Sequence, residues 1–108
     1  MATERLIGRL RTKTTVECLW PYILALMKDK AVYAYEIRER ISKRFGFDVG
    51  QVTAYMVLYR LENDGYVKPE WQNVENRQRK YYRITDEGLA ALTESIGYFS
   101  LTADSLKQ

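Results

Sequence analysis

Two short runs in this sequence of 108 residues carry side chains suited to grasping another molecule. The first holds Gln51, Thr53, Tyr55, Met56 and Arg60 around three apolar residues, Ala54, Leu58 and Leu61, spaced for one helical face. If those three point inward, Gln51, Thr53, Met56 and Arg60 fall on the opposite side, with Tyr55 and Tyr59 at its borders. Such a helix fits the major groove of duplex DNA. There Gln can pair bidentately with adenine and Arg with guanine, each good pair adding about 1–3 kcal/mol of discrimination, and hydroxyls such as those of Thr53 and Tyr55 suit phosphate oxygens. The second run places Arg77, Arg79 and Lys80 within four positions. Each phosphate such a cation neutralises steepens the salt dependence of binding by roughly one unit of slope.

Other chemistries find little support. The chain has no histidine and one cysteine, Cys18, which removes the commonest metal ligand and general base as well as any intrachain disulfide framework. No spacing brings a nucleophile to a base and no glycine-rich loop could cradle a phosphate, so neither an enzyme, a cofactor nor a metal is expected. Cys18 reads as a small buried hydrophobe. No apolar run reaches the roughly 18–20 residues of a membrane span, and the charged start (Glu4, Arg5, Arg9, Arg11) lacks the apolar stretch of a secretory signal. A cytoplasmic protein without a membrane partner is therefore expected. The net charge of +3 is modest but uneven. Up to Arg83 there are 16 Lys or Arg against 10 Asp or Glu, whereas beyond it Lys107 faces Asp86, Glu87, Glu94 and Asp104. A basic body with an acidic tail suits a polyanionic ligand on one part and a different partner on the other.

The elements that must position these residues follow from periodicity. Residues 1–13 allow either a short amphipathic turn or a loose arm. Thr14 and Thr15 can cap a helix running to about Lys28, but Pro21 requires that helix to kink or to begin at Trp20. A second helix spans Tyr33 to Phe45, with Gly46 as its stop, and a third spans Gln51 to Asp64. The period then becomes two. Tyr66 to Gln72 and Lys80 to Ile84 read as strands of a two-stranded ribbon, with Pro69 on an edge and Asn73 and Asn76 best able to take positive φ in the connection. Thr85 caps a last helix along which Leu89, Leu92, Ile96, Phe99, Ala103 and Leu106 recur at alternating steps of three and four. Such a seam calls for a partner helix, most simply that of a second copy. The expected fold is mainly α with a small β-hairpin: a winged helix-turn-helix DNA-binding domain over residues 1–85, then a C-terminal dimerisation helix over 86–108, packed as one unit.

Three segments resemble the PadR-type transcriptional regulators. They are Tyr35-Glu36-Ile37; Thr53-Ala54-Tyr55-Met56-Val57-Leu58-Tyr59-Arg60-Leu61-Glu62 with Asp64-Gly65; and, most specific, Arg77-Gln78-Arg79-Lys80-Tyr81-Tyr82-Arg83-Ile84-Thr85-Asp86-Glu87-Gly88. The likeness spans about Thr15 to Leu92. It implies a homodimeric winged-helix repressor or activator of the short subclass with a single C-terminal helix; the function expected from the whole reading is a sequence-specific binder of double-stranded DNA that regulates transcription, with repression as the expected sense. It also implies that Thr53, Tyr55, Arg60, Arg79 and Lys80 contact DNA. Ala34, Val52 and Met56 stand where the family usually has glycine, glycine and proline, and the wing lacks glycine. Two other readings remain open. One is a ligand-responsive regulator binding a small aromatic effector in a pocket lined by Trp20, Tyr98 and Phe99; the other is a winged helix used for protein contacts without DNA.

Overall fold

A computed structural model describes residues 1–108. Five α-helices and three strands follow in the order α1 (Ala2–Thr14), α2 (Trp20–Leu26), β1 (Val32–Tyr33), α3 (Ile37–Phe45), α4 (Gln51–Asn63), β2 (Val67–Val74), β3 (Arg77–Ile84) and α5 (Asp86–Leu106). Residues 1–13, for which the sequence allows a turn or an arm, belong to a full helix. Thr14 and Thr15 therefore end α1 instead of capping the next helix. A 3-10 turn at Val16–Cys18 redirects the chain, and α2 opens at Trp20 with Pro21 in its first turn. That placement resolves the proline conflict, because a first-turn residue has no intrahelical N–H bond to lose.

The second predicted helix begins later than its periodicity suggests. Val32 and Tyr33 instead form a short strand, and a 3-10 turn at Ala34–Glu36 leads into α3. The sheet accordingly has three antiparallel strands in the order β1-β3-β2, not two. Tyr33 lies opposite Tyr81, while Val67 to Val74 pair with Ile84 back to Arg77. Pro69 sits on the edge strand, as expected. The connection is much tighter than the predicted Asn73–Arg79 loop: Asn73 remains in β2, and Glu75 (φ 51°) and Asn76 (φ 64°) alone make the turn. Two successive left-handed residues are what a two-residue hairpin needs to match strand twist.

One core holds these pieces. Ile23 and Leu24 of α2, with Met27 just after it, meet Ile37 and Ile41 of α3 and Ala54, Leu58 and Leu61 of α4; Val32, Val67 and Tyr82 close it from the sheet and Leu92 from α5. A node of backbone bonds fixes α5 to this body. Gly65 takes φ 85° to end α4, the Thr85 hydroxyl donates to the Gly65 carbonyl (2.7 Å), and the Thr85 N–H donates to the Tyr66 carbonyl (3.1 Å). Thr85 Oγ1 also accepts from the Gly88 N–H (3.1 Å), capping α5 as predicted. By contrast, α1 buries none of its residues.

Candidate nucleic-acid interface

Helix α4 and the β2–β3 hairpin stand side by side, and the groove between them is lined by tyrosines. Tyr55 and Tyr59 come from α4, Trp71, Gln78, Arg79 and Lys80 from the hairpin, and Tyr33 and Tyr35 from the segment before α3. Their rings form a continuous chain: Tyr81 to Tyr33 (5.4 Å between centroids), Tyr33 to Tyr35 (5.4 Å), Tyr35 to Tyr55 (6.2 Å) and Tyr55 to Tyr59 (6.0 Å). Edge and offset contacts of this kind hold aromatic rings in fixed relative positions. Burying the inner face of α4 thus dictates its distance from the wing. The arrangement puts a row of phenols, each with a polar tip, beside the helix proposed to read bases.

The predicted residues take distinct positions. Gln51, Thr53, Met56 and Arg60 are all exposed on the outward half of α4, while Tyr55 is half-buried toward the wing. The Gln51 amide donates to the Tyr55 hydroxyl (3.0 Å), which orients that side chain yet leaves its carbonyl oxygen and second N–H free. Arg60 lies on the far flank from the wing, lining a cavity with Glu17, Asp64 and Trp20. On the hairpin, Arg77 is exposed at the tip and Arg79 lies over the Tyr33 ring, 5.1 Å from its centroid. Neither makes an ion pair, so both charges remain available to a partner.

Lys80 differs from the other two. Its ammonium lies 3.9 Å from a Glu62 oxygen, 5.2 Å from the Tyr82 ring centre and 5.9 Å from that of Trp71. Glu62 also accepts from the Tyr82 hydroxyl at 2.7 Å. Burial first, then the bond to this carboxylate, pushes the Tyr82 phenol well above its ordinary range. Together, Lys80, Glu62 and Tyr82 tie the wing to α4. At the base of the wing, Arg83 donates to Glu70 (2.9 Å), and that hydrogen bond, with a further one from Gln72, holds the Glu70 carboxyl below its ordinary range.

Sequence reasoning missed part of this surface. Tyr33, Tyr35 and Gln78 line the groove, and Val52 is the most exposed apolar residue of α4, at 72%. A two-residue strand is too short to show a period, which hid Tyr33; the outward position of Val52 was legible from its place two residues before Ala54.

The residues predicted for the C-terminal seam divide in two. Leu92 is buried in the chain's own core, whereas Leu89, Ile96, Phe99, Ala103 and Leu106 are exposed along α5. Trp20, Tyr98 and Phe99 do share one groove of about 570 Å³, together with Cys18, Tyr66 and Glu94. No helix is long and apolar enough to cross a membrane.

Comparison with known proteins points the same way as the geometry. The model of the transcriptional regulator PadR-like family matches residues 23–94. The transcriptional regulator Rv3488 of Mycobacterium tuberculosis is 40% identical over 73 residues, covering 68% of this chain and 67% of that protein. Among solved structures, a PadR family transcriptional regulator from Eggerthella lenta superposes with a TM-score of 0.79 at 27% identity, over 98% of this chain and 93% of the other. The Bacillus subtilis PadR structure, solved in complex with operator DNA, shares the fold, with a TM-score of 0.65 at 20% identity over 76% of this chain and 48% of that one. With its winged helix, its Arg-x-Arg-Lys-Tyr-Tyr wing strand and a family match running from α2 into α5, the chain belongs to the PadR-like family of transcriptional regulators.

Proposed function

We propose that this chain binds double-stranded operator DNA as a homodimer, through α4 in the major groove and the hairpin on the adjoining backbone, and that it represses transcription in the cytoplasm. The carrying observation is the exposed outward half of α4, bearing Gln51, Thr53 and Arg60, beside a wing whose cations Arg77 and Arg79 make no ion pair, with a tyrosine-lined groove between α4 and the hairpin. The structural likeness to the Bacillus subtilis PadR bound to operator DNA supports the same use of the fold. A groove-filling helix flanked by a cationic ribbon separates base reading from phosphate anchoring. The second copy would cover Leu89, Ile96, Phe99 and Leu106 of α5, large apolar side chains between 41% and 82% exposed in the single chain. Residues 1–85 would then serve as the DNA-binding part and 86–108 as the dimerisation helix.

Because Lys80 also braces the wing, the test of anchoring is the double variant Arg77→Ala/Arg79→Ala. It should weaken binding to all duplexes alike and lower the slope of log affinity against log salt by roughly 2 units per wing. An unchanged slope would remove the wing from the interface.

A second reading is favoured by one observation: Trp20, Tyr98 and Phe99, far apart in sequence, line a common groove beside the α5 seam. A flat aromatic effector held there would lie against the dimer contact and bias the spacing of the two reading helices. Saturable quenching of tryptophan fluorescence by planar cationic dyes supports this reading, and its absence refutes it.

A further inference from the structure

The outward apex of α4 is apolar. Val52 is 72% exposed and Met56 59%, one turn apart and opposite the buried face of Ala54, Leu58 and Leu61. Around this small patch lie the polar Gln51, Thr53 and Arg60 and the amphipathic Tyr59, which is 53% exposed. Two apolar side chains at the centre of a surface otherwise made for a polyanion call for an apolar feature within that polyanion. In the major groove there is one, the C5-methyl group of thymine; the other base edges there present hydrogen-bond donors and acceptors.

We propose that Val52 and Met56 read thymine methyl groups, making pyrimidine methylation at C5 a determinant of this chain's specificity. The inference rests on the DNA-binding reading above and deepens it. Discrimination has two sources. A methyl packed against Val52 or Met56 is withdrawn from water. A cytosine amine or guanine oxygen pressed against the same side chain instead loses water without gaining a partner. Val52, nearly locked in one rotamer on a helix, is the stricter reader, and Met56 adapts to the neighbouring step. Gln51, with a free carbonyl oxygen and a free N–H, can take the adenine edge of a nearby pair, so the three residues favour A·T pairs together.

The experiment starts from the tightest duplex selected out of a random library. Each thymine is replaced in turn by deoxyuridine, which removes only the methyl, and separately by cytosine and by 5-methylcytosine. Affinity is read by fluorescence anisotropy at fixed salt. One or two thymine positions per half-site should show about fourfold weaker binding with deoxyuridine, from the burial value of a single methyl. At those positions 5-methylcytosine should bind more tightly than cytosine. The variants Val52→Ala and Met56→Ala, both at exposed sites and expected to fold normally, should each lose the sensitivity at one position while still binding. Specific binding that ignores deoxyuridine everywhere, or that keeps its full sensitivity in both variants, would overturn the proposal and leave the DNA-binding reading standing. Failure to select any duplex would overturn that reading first, and would point to an apolar protein surface as the partner of this patch.

Discussion

Two glycines of α5 make an opposed pair of tests. Gly88 lies in the first turn, buried against the end of α4, and a Cβ added there would sit 2.1 Å from the Tyr66 carbonyl oxygen and 2.8 Å from Ile84 Cγ1. Carbon and oxygen in contact sit about 3.3 Å apart, so Gly88→Ala must push α5 away from Tyr66 by roughly 1 Å. Overpacking of that order costs about 1–3 kcal/mol. The movement also strains the Thr85 N–H bond to the Tyr66 carbonyl and the Thr85 cap on Gly88, each contributing about 1 kcal/mol. Alanine returns about 1 kcal/mol in helix propensity. The expected net loss is about 2–3 kcal/mol, or a fall in Tm on the order of 10 °C. A methyl added at Gly97, on the same helix, would meet nothing within 4 Å, so Gly97→Ala should gain up to about 1 kcal/mol. Urea unfolding of both variants at one fixed chain concentration checks the signs, since an oligomer's stability varies with concentration. A Gly88→Ala protein as stable as the parent would refute the close docking of α5 on Tyr66.

Three further outcomes follow from the same geometry. Ile96→Glu with Phe99→Glu, both exposed in the single chain, should give a folded monomer by sedimentation, whereas Leu92→Ala should unfold more readily by about 2–5 kcal/mol because it empties the core. A double variant that still sediments as a dimer would exclude α5 as the contact. At the wing tip, Glu75 holds φ 51° at the cost of about 1 kcal/mol, so an Asn-Gly pair at 75 and 76 should stabilise the hairpin by about that much in urea titration. The phenols of Tyr82 and, mainly through burial, Tyr22 have folded pKa values raised above 10.0. Above about pH 10 the unfolded chain therefore binds fewer protons, and stability, complete below that pH, is lost as pH rises further. Tyr82→Phe should flatten the decline measured between pH 9 and 11, and an unaltered slope would contradict the assignment.

How much of this was legible in the sequence depended on how far each feature reached along the chain. The helical faces of α3 and α4 show in Ile37, Ile41, Ala54, Leu58 and Leu61, because burial repeats over several turns. Thr85 as a cap and Pro69 on an edge were legible because each follows from local chemistry. β1 was not, since two residues carry no period and Val32–Tyr33 becomes a strand only by pairing with Tyr82 and Tyr81, far along the chain. The wing turn was misplaced because Asn73 and Asn76 both tolerate positive φ, and strand register, a tertiary property, gave the other left-handed position to Glu75. The inward tie of Lys80 to Glu62 was likewise hidden in a run of three similar cations. Leu92 shows the ambiguity of a heptad: the seam it belongs to is shared between the chain's own core and a face left open.

The central claim is that two copies present their α4 helices and wings to one duplex. Selection of bound duplexes from a random library at stated salt, followed by sedimentation of the complex, tests it most directly. A two-fold motif with half-site centres about 10–10.5 base pairs apart, or a multiple of that spacing, binding two chains per duplex, is the predicted result. Enrichment of no motif, or a single asymmetric site carrying one chain, would contradict it.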